Sequence, residues 1–386
     1  MGSERAAPVL AALTKGVLMP SDKHAAWTRP DFSARSIGCI YALVLLALIG
    51  TACLAQQPCT VPVRVLAFDS SSFPKEFVDR ALAWKQASRG GRPAKPGLLD
   101  MGQLGYAAPH ASKVVLDLPA KAFLARDENH PISVRSVTID RGPRRIVFVV
   151  DNGKETNSVA RKIETAVITD ILSKARAEDS FALLTARGPR VTVLLGAPRD
   201  TIQAAAEKLD SSIQGKSDGE GVPDALLEAS TWLQTQRPGD TIFLLAMRIE
   251  GRHKASVTRV RKALGADRVR LFGFQLGPTA IWGPTFGTDV TSAEVADGMF
   301  SLASRTGGEA VLENTEENGY ELRDARLQQL RDIAERMYNS ITEYNVLELS
   351  SVTGHLRISL SPESQKGLLV PMDVLYPGDL PPCKSP

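Results

Sequence analysis

Four cysteines and five histidines in 386 residues leave few ways to build a metal or nucleophile centre. No Cys-x-x-Cys and no His-Glu-x-x-His is present, so a thiolate zinc site and a helix-borne metalloprotease centre both lack their residues. His24, His110, His130, His253 and His355 are scattered, none at ligand spacing. No Gly-x-Ser-x-Gly elbow presents a serine, and no glycine fingerprint follows a strand to hold a dinucleotide. Gly215-Lys216-Ser217 ends like a phosphate loop, but Asp210 stands where that loop needs its first glycine. Ser72-Phe73-Pro74-Lys75 matches Ser-x-x-Lys without the Lys-Thr-Gly motif that accompanies it. Charge of one sign is missing as well. The formal net charge of +3 is too small and too evenly spread to argue for nucleic acid or an anionic membrane surface. The basic group Lys85, Arg89, Arg92 and Lys95 lies among Gly and Pro and reads as a solvated loop.

Long apolar runs are equally scarce, and the one present is informative. Ile37 to Ala55 is uncharged, follows Arg35 directly, and is most apolar from Ile40 to Ile49. That core suits the h-region of a signal peptide better than a full span. Small residues precede Gln56, so cleavage after Ala55 is expected, with Met19 as an alternative start; uncleaved, the run is just long enough to anchor the chain. Localisation is therefore expected to be extracytoplasmic, periplasmic or secreted, with the membrane touched only through residues 37–55. Cys39 and Cys53 lie inside the run, and Gly50 stands where a lipid-attachment motif around Cys53 usually has a branched aliphatic residue. Cys59 and Cys383 remain for one possible disulfide under oxidising conditions; two free thiols are the alternative.

Composition (43% hydrophobic, 23% charged) allows a sizeable core, and the length allows two or three domains. Residues 1–35 form a polar leader and 36–55 the export segment. Residues 56–142 form a β-rich segment: Thr60 to Phe68 alternates at the strand period, Phe73 to Gln86 fits a helix, and a loop follows to about Gly105. Val114 to Leu118, Phe123 to Arg126 and Ile132 to Ile139 are short strands, broken by Asp127-Glu128-Asn129 and His130-Pro131.

From Arg144 strands alternate with helices, the pattern of a parallel sheet with helices on its faces. Ile146 to Val150, Thr241 to Ala246 and Val269 to Leu276 are apolar throughout, as strands buried on both sides must be. Phe181 to Ala186 and Val191 to Leu195 flank the hairpin signal Arg187-Gly188-Pro189, and Glu309 to Leu312 is a short strand. Helices are expected over Ser158 to Ala177, Thr201 to Leu209, Asp224 to Gln234, Val257 to Leu264, Ala293 to Ser304 and Leu322 to Ile341. Pro278 to Thr288 is a Gly/Pro loop whose Trp282 and Phe286 are a candidate interaction surface. The expected fold is α/β, a doubly wound, mostly parallel sheet over 143–342, with a β-rich tail over 343–386.

The strand ending in Asp151, the helix start Gly221-Val222-Pro223-Asp224-Ala225-Leu226 and the turn Leu302-Ala303-Ser304-Arg305-Thr306-Gly307-Gly308-Glu309-Ala310 together resemble a von Willebrand factor A domain. With the flanks from Thr60 and Tyr344, the chain looks like the bacterial VWFA-related group abundant in Acidobacteria. The resemblance implies a metal-ion-dependent adhesion site at the strand ends: Asp-x-Ser-x-Ser, a Thr, and an Asp, oxygen ligands suited to Mg²⁺. Here Asp151 is kept, but Gly153 and Glu155 replace the serines, Glu220 replaces the Thr, and the last Asp falls at Met247 or Arg248. Arg248, helped by Lys154, is expected to neutralise the carboxylates in place of an ion. The resulting expectation is a non-enzymatic interaction or scaffold module of the bacterial envelope, with a degenerate site, no cofactor, no metal and an unidentified protein partner. The alternative is an Mg²⁺-dependent adhesion module using Asp151, Glu155 and Glu220. An enzyme using Glu155 and Glu220 as an acid/base pair ranks third.

Overall fold

A strand flanked on both sides and packed on both faces has no polar environment to meet, and the apolar segments of this chain take that position. The computed structural model describes residues 60–69, 113–128, 130–153, 156–187, 190–209, 221–235, 237–247, 254–276, 299–313, 315, 322–350, 356–365 and 373–378. The expected leader and export segment, the helix over Phe73 to Gln86, the basic loop and the Trp282/Phe286 loop lie outside the described residues.

In chain order, β1 (Thr60–Asp69), β2 (Lys113–Val115), β3 (Phe123–Asp127), β4 (His130–Ile132) and β5 (Val134–Asp140) come first. They are followed by β6 (Arg145–Val150), α1 (Ser158–Lys174), β7 (Ser180–Thr185), β8 (Thr192–Val193), α2 (Arg199–Glu207) and α3 (Val222–Trp232). Next are β9 (Thr241–Ala246), α4 (Lys254–Asp267), β10 (Arg270–Leu276), α5 (Met299–Arg305), β11 (Ala310–Glu313) and α6 (Asp324–Thr342). The strands β12 (Tyr344–Ser350), β13 (Leu356–Leu360) and β14 (Asp373–Leu375) complete the described elements. Several elements are shorter than the periodicity predicts, among them the strand expected over Val114 to Leu118, which ends at Val115. The first helix stops at Lys174, where Ala175 turns to extended backbone, and the second arm of the hairpin pairs only over Thr192–Val193.

The central sheet has the order β11-β10-β9-β6-β7-β8. All its pairs are parallel except β8, which returns antiparallel on β7. The chain winds outward from β6 in both directions, so the fold is a doubly wound α/β sheet and its order reverses between β6 and β9. Alternate residues feed two cores. Phe148, Phe181, Phe243 and Phe274 line one face, with centroid spacings of 5.8, 5.9 and 6.1 Å, and pack under α1, α2 and α6. Val147, Val149, Leu184 and Leu244 line the other, under α3, α4 and α5. Each such side chain contributes about 1.5–3 kcal/mol on burial.

The turn before β11 has a steric reason for its glycines. Gly307 is left-handed (φ +76°), and a Cβ on Gly308 would stand 1.9 Å from the Leu271 carbonyl oxygen. Thr306 Oγ1 accepts from Leu271 N at 3.0 Å and donates to Ala303 O at 2.8 Å, locking the turn against β10.

The two flanks come together. β1 pairs antiparallel with β12, and β12 with β5, while β13 pairs with β3. Their inward residues, among them Val63, Val65, Phe123, Leu347 and Ile358, form a third core. The strict alternation of burial along β3 and β13 marks sheets with one buried face.

Candidate functional site

Open α/β sheets bind ligands at the carboxyl ends of their strands, where the winding reverses. In this chain that crevice lies between the ends of β6 and β9, and Asp151 and Met247 follow those two strands directly. Asp151 N donates to Leu245 O at 2.8 Å, which holds the aspartate between them. The loop behind it is tied down locally. Thr156 Oγ1 donates to Asp151 O at 2.8 Å, and Asn157 caps α1 by accepting from Ala160 N at 2.8 Å. Asn157 Nδ2 also donates to Thr315 O at 2.9 Å, joining the start of α1 to the segment after β11.

The Asp151 side chain is 1% exposed. Oδ1 accepts from Arg187 Nε at 2.9 Å and from Gly153 N at 3.2 Å. Oδ2 accepts from Arg187 Nη2 at 2.5 Å and from Met247 N at 3.3 Å. A carboxylate offers about four lone-pair directions, and all four are used. The forked guanidinium supplies the positive charge that a bound ion would otherwise supply. Met247, itself buried, brings only a backbone N–H to this corner. Among the described residues, Asp151 thus leaves no open carboxylate oxygen of the kind a hard divalent cation needs.

Behind Asp151, α1 carries a pair of buried ionisable side chains. Arg161 Nη1 donates to Glu164 Oε2 at 2.9 Å, and both side chains are buried. Glu164 Oε1 and Arg161 Nε have no hydrogen-bond partner. Burial is the largest influence on Glu164 and raises its pKa; Arg161 lowers it, and the charge of Asp151 raises it again, leaving it at about 8.

Asp151, Gly153 and Met247 are thus brought together as neighbours of one carboxylate. Lys154, Glu155, Glu220, Arg248, Trp282, Phe286, Cys59 and Cys383 lie outside the described residues. The cation found on Asp151 is Arg187, from the Arg187-Gly188-Pro189 turn, not the expected Arg248. A basic residue directly after the second parallel strand was the available clue, because that position lies at the same sheet edge as Asp151. Arg161 and Glu164 gave no such sign, since an Arg and a Glu three apart on a helix read as a solvated pair. Among the described residues, no group of three His, Cys, Asp or Glu is placed to hold a metal ion, and no helix is long and apolar enough to cross a membrane.

No protein-family model matches the sequence, and no curated protein matches it significantly. Among solved structures, the chain is similar to an aerotolerance-related membrane protein from Bacteroides fragilis, at 12% identity over 51% of this chain and 99% of that one, TM-score 0.37. It is also similar to the conserved hypothetical protein BatB from Bacteroides thetaiotaomicron, at 13% identity over 50% and 100% of the two chains, TM-score 0.33. A von Willebrand factor type A protein from Catenulispora acidiphila matches at 13% identity over 59% of this chain and 51% of that chain, TM-score 0.35.

Proposed function

We propose that the chain is a non-enzymatic, extracytoplasmic interaction module whose von Willebrand factor A-like domain meets a protein partner without a bound metal ion. The observation that carries this reading is the saturation of Asp151 by Arg187, Gly153 N and Met247 N. In the adhesion site that the resemblance implies, this aspartate faces an ion whose free position takes a partner's carboxylate. With a guanidinium in that place, the strand ends carry a fixed arginine–carboxylate pair and recognition passes to hydrogen bonding and shape. Arg187 keeps a fifth of its side chain exposed at the crevice mouth, within a partner's reach. Export rests on the apolar run Ile37 to Ala55 behind Arg35, and the absence of a nucleophile or metal motif in the sequence supports a binding role.

Calorimetric titration of the protein with Mg²⁺ and Ca²⁺ tests the metal-free reading. No saturable heat is expected. Micromolar binding abolished by Asp151→Ala would replace this reading with the Mg²⁺-dependent one through Asp151, Glu155 and Glu220. Cross-linked capture from envelope extract, compared between wild type and Arg187→Gln, tests the surface: a partner held equally by both places recognition elsewhere.

A further inference from the structure

The opposite edge of the central sheet, where the parallel strands begin, carries a second concentration of charge. Arg270 opens β10 and is 2% exposed. Its Nη1 donates to Ser340 O at 3.2 Å and its Nη2 to Ile341 O at 2.8 Å, yet its Nε, also buried, has no partner. Arg270 lines a small cleft with Arg64 of β1 and Arg268, an exposed residue held in left-handed backbone (φ 53°). Arg64 donates through Nε alone, to Tyr344 Oη at 2.9 Å, and the Arg268 side chain makes no hydrogen bond or ion pair. Arg64 and Arg268 therefore bring unused donors to the cleft, the buried charge of Arg270 lies behind them, and none of the described residues lining the cleft is acidic.

The carboxylate whose charge acts on Arg270 does not balance them. Asp140 is committed elsewhere: Oδ1 accepts from Gly142 N and Arg144 Nη2, and Oδ2 from Tyr344 Oη. Like charges held this close, one of them desolvated, call for a counter-anion. The cleft also limits what that anion is. Its free volume is about 20 Å³, and roughly 10–15 Å³ of such space holds one water. A head of two oxygens fits, and a nucleotide does not. The remaining walls are mainly apolar, with Pro62, Leu264 and Pro377 among them.

We infer that this cleft is a binding site for an organic carboxylate with a short aliphatic stem, either a free acid or a glutamate side chain of another polypeptide. The head takes the unused N–H groups of Arg64 and Arg268, in the forked geometry that guanidinium and carboxylate share, with the buried charge of Arg270 behind them. The stem lies against the apolar walls. The site stands at the sheet edge opposite Asp151 and is independent of the function proposed there.

Titration of the protein with sodium butyrate at constant ionic strength, followed by NMR of the arginine Nε–Hε signals, tests this. Saturation with a Kd on the order of 1 mM is expected for so small a ligand. Inorganic phosphate, which lacks the stem, is expected to bind at least about fivefold more weakly. Arg268→Gln, at an exposed position, is expected to weaken butyrate about tenfold. Butyrate that fails to saturate, phosphate that binds equally well, or an affinity unchanged by Arg268→Gln would each overturn the assignment. A blocked glutamate added against bound butyrate then separates the two sources. Displacement assigns a polypeptide side chain, and its failure assigns a free acid.

Discussion

The negative charge of Asp151 bears on Glu164, one helix layer behind it, and raises the pKa of a carboxyl that burial has already lifted. The folded value of about 8 exceeds the ordinary 4.5. A raised carboxyl pKa means that the folded state binds the proton more tightly than the unfolded chain does. Glu164 therefore contributes stability that is complete below pH 4.5 and is lost as pH rises toward 8, at about 1.4 kcal/mol per pH unit. Glu164→Gln keeps the shape and removes the titration. Urea unfolding from pH 4 to 9 is expected to show a flatter profile for the variant, which overtakes wild type at the alkaline end. Parallel profiles would remove Glu164 as the titrating group.

The Asp151–Arg187 pair is partly exposed on the arginine side only, so its loss falls mainly on the aspartate. Arg187→Ala leaves a buried carboxylate with two backbone donors and, among the described residues, no hydrogen-bonded countercharge, at a cost of about 2–3 kcal/mol. Asp151→Asn is expected to cost less, because it removes the charge together with the need to balance it. A double-mutant cycle measured by chemical denaturation should give a coupling of about 2 kcal/mol. Additive losses would mean that the guanidinium stabilises something other than Asp151.

The central sheet was readable from the sequence because burial on both faces demands uninterrupted apolar runs, and Ile146 to Val150 and Thr241 to Ala246 supply them. The Thr306-Gly307-Gly308 turn was readable because close backbone approach admits only glycine at Gly308. Contacts between charges distant in sequence were not. Arg187 meets Asp151 across 36 positions, and Arg144 meets Thr342 across 198; no periodicity encodes either. The pairing of β1 with β12 was hidden for the same reason. Alternation identifies a strand but not its neighbour.

Gly308→Ala tests the steric account of that turn. A methyl group placed 1.9 Å from the Leu271 carbonyl forces β10 or β11 to move, and the expected loss is about 2–3 kcal/mol or more. Differential scanning calorimetry reads it directly. A Tm within a degree or two of wild type would show that the turn has slack which the backbone geometry does not suggest.

Arg144 tests what joins the sheet domain to the flanking strands. Its guanidinium is almost fully buried and lies 4.8 Å from the centroid of the Tyr344 ring, at the start of β12. It donates to Ile341 O at 3.1 Å and Thr342 O at 2.9 Å, carbonyls that the last turn of α6 leaves without helical partners. It also donates to Asp140 O and Oδ1, at the end of β5. One planar group thus ties a helix terminus, an edge strand and a tail strand together, and its positive charge sits at the negative end of the helix. Arg144→Met keeps the stem and removes every one of these donors, and is expected to cost about 3–5 kcal/mol, since Asp140 and the carbonyls remain behind. Arg144→Lys restores the charge but not the fork, and an ammonium cannot reach all of these acceptors at once. Less than half of the lost stability should return. Hydrogen exchange locates the effect: amides of β1 and β12 are expected to lose protection before those of β6 and β9. A lysine variant as stable as wild type would mean that charge alone, not the forked geometry, holds the junction.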